Sequence, residues 1–482
     1  MRIVIESRHQ DNSGGGKLST QLAKCFSQFE DVYIKGDFGN NSKFSGIDYE
    51  IKKFNNDFVP DLFIAISHKG GIRPIGKINV HYCFFPLWDG LPGVEDNFKS
   101  YDYALCLNEF VDKHQKKNWE LPSSIINPYI DLEQYYSLEK KNIILNVGNY
   151  FYEKDGHSKN QHILIDWFLE NKLEEKYKFI FVGYISDYSY YKRLQDKAYK
   201  YVISDLKLIV GKKKNISLLH SINFDELRKL YAESKYLIHA IGYRRNSFHQ
   251  TEHFGIMALE AMASGCQPIV HNSGGCKDFK NIRTWNEPKE ILSQMHEYNT
   301  EKLKETALEY SFENTLNQVK KFLDKIKTIP SKKRERLNLG CGPDYKNGWI
   351  NVDVGDCKKD IEHDLEVLPL PFEDNRFIEI SMIHVLEHIE KEKFKDFMRE
   401  LHRISQPNAM IRIEVPDYTS KNAFTDFNHK NIFTEDSFGY FDNKHYLREV
   451  GKVYGIDFTF KILLKVKYNP EKTLVFKLFV EK

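Results

Sequence analysis

Short continuous apolar runs alternate along this chain with longer stretches whose apolar positions recur at helical spacing. RIVIES, PDLFIAISH and KINVHYCFFP come first, NIILNVGN, FIFVGY, ISLLHS, YLIHAI and QPIVH follow, and LNLGCG, WINVDV and MIRIEVPD come last. Apolar runs of this kind, bounded by turn residues, predict strands covered on both faces, as in parallel sheets. Between them, LSTQLAKCF, HILIDWFLE and NFDELRKLYAES read as amphipathic helices, the last with an asparagine cap. TALEYSFENTLNQVKKFLDKI reads as one helix closing a domain. Strand–helix alternation predicts an α/β architecture. The polar run KTIPSKKRER (Lys327–Arg336) interrupts it and marks a boundary. The expected division is 1–135, 136–328, a linker at 329–336, and 337–482, with INPYID (Ile126–Asp131) leading into the second unit.

A length of 482 residues allows two to four domains. A formal net charge of +2 gives no bulk attraction to nucleic acid, and no nucleic-acid partner is expected. No apolar run approaches the ~18 residues of a membrane span. The chain opens directly on a strand, so no secretory leader is expected. Seven cysteines with no C-x-x-C pair predict buried thiols in a reducing compartment, without a disulfide frame or zinc site. The expected location is cytoplasmic, at most at the inner face of a membrane. The basic helix NEFVDKHQKKNW reads as a solvated face, with peripheral membrane contact as its other reading.

The densest chemistry lies in Glu252–Glu260, EHFGIMALE, running on into EAMASGCQPIVHNSGG. A helix opens near Gly255 and closes at Gly265, and its first turn carries backbone N–H groups suited to an anion. Glu252 precedes that anion site and Glu260 lies inside the helix beyond it. Ionised carboxylates accept hydroxyl donors. The order hydroxyl binder, anion site, hydroxyl binder matches the sugar, pyrophosphate and ribose of a nucleotide sugar. EHFGIMALEAMASGCQPIV…SGG resembles the donor site of retaining GT-B glycosyltransferases of family 4, the glycosyl transferases group 1. The resemblance implies two Rossmann-like domains facing a cleft and metal-independent transfer, in keeping with the absence of D-x-D. It implies that Glu252 holds donor-sugar hydroxyls and Glu260 the ribose. The amides of Phe254, Gly255 and Ile256 would face the phosphates, and Lys159 would clamp them. Gly14, Gly15 and Gly16, between the first strand and helix, correspond to a Gly-rich loop facing donor phosphate and acceptor. A histidine in a buried strand more often serves the core. INVHYCFFP nevertheless resembles the histidine-bearing strand of lipid-linked mannosyltransferases, which makes His81 a candidate beside the donor sugar. His68 is a second candidate, and a one-gap shift would bring in Phe84. The family's usual arginine after the VG pair is Asn149 here, with Arg244 or Arg245 as possible replacements. The expected donor is GDP-mannose first and a UDP-hexose second, and the expected acceptor is a glycan or lipid-linked saccharide.

The last third starts afresh with LNLGCG and WINVDV. Asp353, at the end of its second strand, is positioned for the ribose hydroxyls of a nucleoside cofactor. Pro343 and the short PDYKNG segment leave no room for a usual crossover helix. The run from LNLGCG to MIRIEVPD resembles class I S-adenosylmethionine-dependent methyltransferases of the type-11-like group. That resemblance implies a third Rossmann-like domain in which Gly340 and Gly342 back the methionine part, Asp353 binds ribose and Asp364 lies near adenine. His429, in DFNHKNIFTEDSF, is the candidate general base. Asn338 and QPNAM depart from the group's pattern. The main expectation is a bifunctional enzyme that transfers a hexose and O-methylates a sugar. The alternatives are a glycosyltransferase with a degenerate cofactor-binding or docking module, and a sugar-nucleotide sensor without catalysis. No resident metal is expected.

Overall fold

In the computed structural model, described residues are 1–7, 14–35, 52–55, 58–67, 72–83, 101–152, 158–200, 215–245, 248–329, 334–468 and 472–482. Three parallel or mostly parallel sheets follow one another along the chain. The first is built from β1 (Arg2–Ser7), β2 (Asp31–Lys35), β3 (Lys52–Lys53), β4 (Leu62–Ile66), β5 (Ile78–Cys83), β6 (Tyr103–Cys106) and β7 (Ser123–Ile125), in the order β3-β2-β1-β4-β5-β6-β7. Helix α1 (Gly14–Ser27) follows β1, and α2 (Glu109–Trp119) follows β6. The predicted strands are here, and β4 and β5 are buried along their whole length. Both faces of this sheet are covered, which is why its strands read as unbroken apolar runs.

The second sheet takes β8 (Lys141–Val147), β9 (Lys178–Val182), β10 (Ile216–Leu219), β11 (Ser234–His239), β12 (Gln267–His271) and β13 (Arg283–Trp285), in the order β10-β9-β8-β11-β12-β13, all parallel. Its helices are α3 (Gln161–Glu170), α4 (Tyr188–Lys200), α5 (Phe224–Glu233) and α6 (Ile256–Ala263). Asn223 caps α5 in a full capping box with Glu226. Gly265, at φ 66°, ends α6, a conformation that would strain a side chain.

The single closing helix expected over 306–326 is instead two, α7 (Thr300–Leu308) and α8 (Phe312–Lys327). Ser311 accepts from the amide of Asn314 and starts a new helix, a capping signal hidden inside a run of helix formers. Helix α8 packs on the first unit: Phe322 meets Phe26 and Tyr103, Lys327 pairs with Glu30, and Gln318 bonds Asn127. The chain therefore crosses back, and residues 312–327 belong in space with the first sheet.

The third sheet consists of β14 (Glu335–Leu339), β15 (Ile350–Asp353), β16 (Ile361–Glu362), β17 (Phe377–Ile383), β18 (Ser405–Pro416), β19 (Thr459–Tyr468) and β20 (Lys472–Glu481). Its order is β16-β15-β14-β17-β18-β20-β19, with β20 antiparallel to both neighbours. The long helix α9 (Lys391–Ile404) covers it. QPNAM lies within β18, with Asn408 at φ 62°, a backbone state asparagine tolerates in place of glycine. This unit has a separate apolar core.

The expected free tether is not what joins it to the rest. Arg334 forks onto Asp102 of the first unit at 3.1 and 3.0 Å, and both side chains are buried. Glu379 on β17 lies 3.6 Å from Arg336 and 3.9 Å from Arg73 of the first unit. Burial lowers the Arg73 pKa to about 10, with Glu379 opposing the shift. The basic run thus includes arginines that make a buried charged joint, which composition alone could not distinguish from a solvated linker.

Candidate functional sites

Gly255 caps α6 at φ 90°, and a Cβ there would come within 2.5 Å of the Cys276 sulfur. Gly274, at φ 71°, is equally constrained, since a Cβ would sit 2.1 Å from the Glu252 carbonyl. Gly275 N donates to that carbonyl at 2.9 Å. These close approaches fix the loop that carries Glu252 at the start of α6. No side chain caps this helix. The Glu252 carboxylate stands 3.9 Å from Lys159 Nζ. Lys159 passes over Gly148, with 3.5 Å from its Cδ to where a Cβ would be. Burial lowers the Lys159 pKa and Glu252 pushes it back up. His239, also buried, is held well below its ordinary pKa by burial and then by Lys159. It is neutral, and sequence reading missed it because a strand histidine looks alike whatever lies beside it.

Glu260 is buried, and each carboxylate oxygen accepts a tyrosyl hydroxyl, Tyr135 at 2.8 Å and Tyr231 at 3.0 Å. Burial and Glu260 raise the pKa of both tyrosines. Phe254 is buried against Phe279 and Tyr310, and Ile256 opens the helix. Asn149 is exposed and accepts from Tyr184 N at 3.4 Å, and Arg244 lies over the Tyr243 ring.

The first unit meets this loop through α2. Asn108 caps α2 through Val111 N and donates to the His253 carbonyl at 2.7 Å. Phe248 is stacked by Phe110 at 4.3 Å and by His114 at 3.8 Å. One face of the basic helix, read as solvated, therefore packs on the second unit. Gly14, Gly15 and Gly16 form the first turn of α1 rather than a loop before it; residues 8–13, together with His68 and Phe84, lie outside the described residues. His81 is buried, bonds the Ser67 carbonyl at 3.0 Å, and sets its ring against Tyr101 and Trp119. Burial drops its pKa to about 4. Its surroundings are those of a core histidine of the first unit.

Residues 131–281 match the family model described as Glycosyl transferases group 1. This segment is a glycosyl transferases group 1 domain. The group 1 domain holds Glu252, Lys159 and Glu260 within the matched residues. A glycosyltransferase from Rickettsia africae ESF-5 has the same fold over 68% of this chain and 99% of its own, with TM-score 0.50 and 14% identity. Anabaena Alr3699/HepE, solved in complex with UDP, covers 67% of this chain and 100% of its own, with TM-score 0.49 and 12% identity. No curated protein matches the chain. Among the described residues no helix is long and apolar enough to cross a membrane.

Beyond the group 1 domain, a cavity of about 570 Å³ opens where β14, β15 and β17 end, lined among others by Gly340, Gly342, Asp353, Asp364, His384 and His388. Strand order reverses at β14, and such a switch point leaves a crevice beyond the strand ends. Gly340 (φ 59°) lies against Val385, where a Cβ would be 2.5 Å from a methyl group. Gly342 (φ 45°) has no atom within 4 Å of its would-be Cβ. Asp353 accepts from Gly342 N at 2.8 Å and Gly355 N at 2.7 Å, so it ties the glycine turn to the end of β15. Asp364 is exposed and accepts from Glu366 N. Asn338 is engaged with Asp344, Asn351 and Lys346. His429 bonds the Ala423 carbonyl through Nδ1 at 3.1 Å and packs on His388, with ring centres 4.8 Å apart.

Proposed function

We propose that the protein transfers a hexose from a nucleotide sugar to a glycan or lipid-linked acceptor with retention, and methylates an oxygen, of a sugar in our reading, from S-adenosylmethionine. The first activity rests on one observation above the others: Glu252 and Lys159 converge beside the uncapped start of α6, inside a matched group 1 segment. An ammonium and backbone N–H groups there would stabilise the departing diphosphate, and Glu252 would orient the sugar. Electrostatic preorganisation of this kind acts where charge develops and needs no nucleophile from the protein. Glu260, inside α6 beyond that helix start, would accept from the ribose hydroxyls.

The second activity is carried by the cavity at the ends of β14, β15 and β17. The glycine turn, Asp353 and Asp364 line one space, which suits a nucleoside bearing a sulfonium side chain. Alignment of the methyl group with an acceptor oxygen and one proton acceptor suffice for in-line transfer. The rival reading, a cofactor-binding or docking module without turnover, is favoured by Asn338, whose amide is occupied by Asp344, Asn351 and Lys346. Thermal shift with GDP-mannose, UDP-hexoses and S-adenosylhomocysteine tests binding, since a ligand of the native state stabilises it by mass action. Transfer from UDP-sugars with none from GDP-mannose would reverse the donor order. Release of S-adenosylhomocysteine with a glycan acceptor separates methylation from the docking reading.

A further inference from the structure

Glu387, His388 and His429 bring one carboxylate and two imidazoles together beside the cavity of the third unit, their ligand atoms all within 4.8 Å of one another. Glu387 is 1% exposed. One of its oxygens meets His384 Nδ1 at 3.0 Å, and the other, Oε2, has no hydrogen-bond partner among the described residues. Burying a carboxylate oxygen without a partner is costly, and in a native fold it calls for an explanation such as an ion.

The frame around these groups is stitched together. The Glu387 carbonyl accepts from the amides of Lys430 at 2.7 Å and Asn431 at 3.1 Å. The Asn431 side chain donates to the carbonyls of Leu386 at 3.1 Å and Ile389 at 2.5 Å. The segment bearing His429 is thereby fixed to the turn bearing Glu387 and His388. His429 gives its Nδ1 hydrogen to the Ala423 carbonyl, which leaves the lone pair on Nε2. A carbonyl behind a ring in this way selects the tautomer and orientation that ligate a metal.

We infer that Glu387 Oε2, the His388 imidazole and His429 Nε2 bind one divalent transition-metal cation, zinc or manganese in class, at the wall of the cavity. The donor set matches three-ligand sites that keep a position open, where nitrogen and oxygen donors sit ~2.0–2.2 Å from zinc. His388 lines the cavity, so the open position is available to an oxygen ligand such as a sugar hydroxyl. That last role rests on the methyl-transfer reading, whereas the cation site does not. The inference departs from the expectation of a metal-free protein, because neither histidine lies at a metal-binding spacing from the other in sequence.

The full chain, stripped with a chelator, is titrated calorimetrically with zinc chloride and manganese chloride. One site per chain is expected, weakened at least tenfold by Glu387→Gln and by His429→Ala, and kept by Cys357→Ser. The last variant controls for a second group of possible ligands, Cys341, Asp353 and Cys357. X-ray absorption of the zinc-loaded wild type needs no variant: a shell of nitrogen and oxygen with imidazole scattering is expected. A sulfur shell near ~2.3 Å, loss of binding in Cys357→Ser alone, or no stoichiometric cation in the wild type each overturns the assignment. S-adenosylhomocysteine binding is measured separately on the chelated wild type. Its failure would count against the methyl-transfer reading, and the cation titration judges the site by itself.

Discussion

Asp353→Ala is the perturbation that most directly tests the third unit. Its two oxygens already accept the amides of Gly355 at 2.7 Å and Gly342 at 2.8 Å, and each keeps lone-pair capacity for one ribose hydroxyl. Hydrogen bonds to a charged group contribute about 1.5–3 kcal/mol each, so losing two ribose bonds costs about 3–6 kcal/mol. At about 1.4 kcal/mol per decade, that is a loss of roughly two to four decades in affinity. Alanine also releases the turn that presents Gly340 and Gly342, so the upper end of that range is expected. Asp353→Asn keeps one carbonyl oxygen and no charge, and should fall about midway. Calorimetric titration of the full chain with S-adenosylhomocysteine reads both. Glycosyl transfer should stay unchanged. Asp353 ends β15, while Glu379, which meets Arg73 of the first unit, pairs with Arg336 near the other end of the sheet. Unchanged affinity in Asp353→Ala would refute the cofactor reading. An equal fall in glycosyl transfer would refute the local character of the site.

Glu260→Ala should weaken nucleotide binding, and by stripping Tyr135 and Tyr231 of their acceptor it should also cost about 1–3 kcal/mol of stability for each buried hydroxyl left unpaired; unchanged affinity in calorimetry would sink the ribose assignment. Glu252→Ala should lower turnover more than nucleotide affinity, which steady-state kinetics against direct binding will separate. Arg334→Met removes the cation facing Asp102 in the joint between the first and third units while Asn79 still donates to that carboxylate, so it should destabilise the chain by at most about 3–5 kcal/mol, with most of this recovered in the Asp102→Asn, Arg334→Met double variant; additive losses in denaturation would contradict the buried pair. His81, neutral and buried, has its pKa lowered to about 4. The unfolded chain therefore binds the extra proton first, and this contribution to stability is complete above pH ~6.5 and lost as pH falls toward ~4. Unfolding midpoints of wild type and His81→Gln should converge on acidification across that window, and parallel curves would exclude the effect.

What the sequence determined by itself was the local grammar. Unbroken apolar runs such as LFIAI and INVHYC dictate strands covered on both faces, and glycines at Gly255, Gly265 and Gly340 mark turns that a Cβ would obstruct, while Gly342 holds a positive φ in open space. The run from Glu252 to Glu260 is contiguous, so its layout of carboxylate, helix start and carboxylate could be read without a fold. Long-range partnership was decided only by tertiary structure. Asn108 reads as a helix cap, and nothing in its neighbourhood reveals that it also bonds His253 across the two units. Ser311 divides a helix because α8 gains the surface of the first unit, a benefit no local propensity contains. Arg334 and Arg336 read as a solvated charge run until Asp102 and Glu379, far away in sequence, are folded against them. Glu387 and His429 are each ordinary in sequence and become a ligand set only when the His429 segment is bonded onto the Glu387 turn. Backbone preference and burial periodicity act over a few residues, whereas charge pairing and ligand geometry depend on distances that chain folding alone creates.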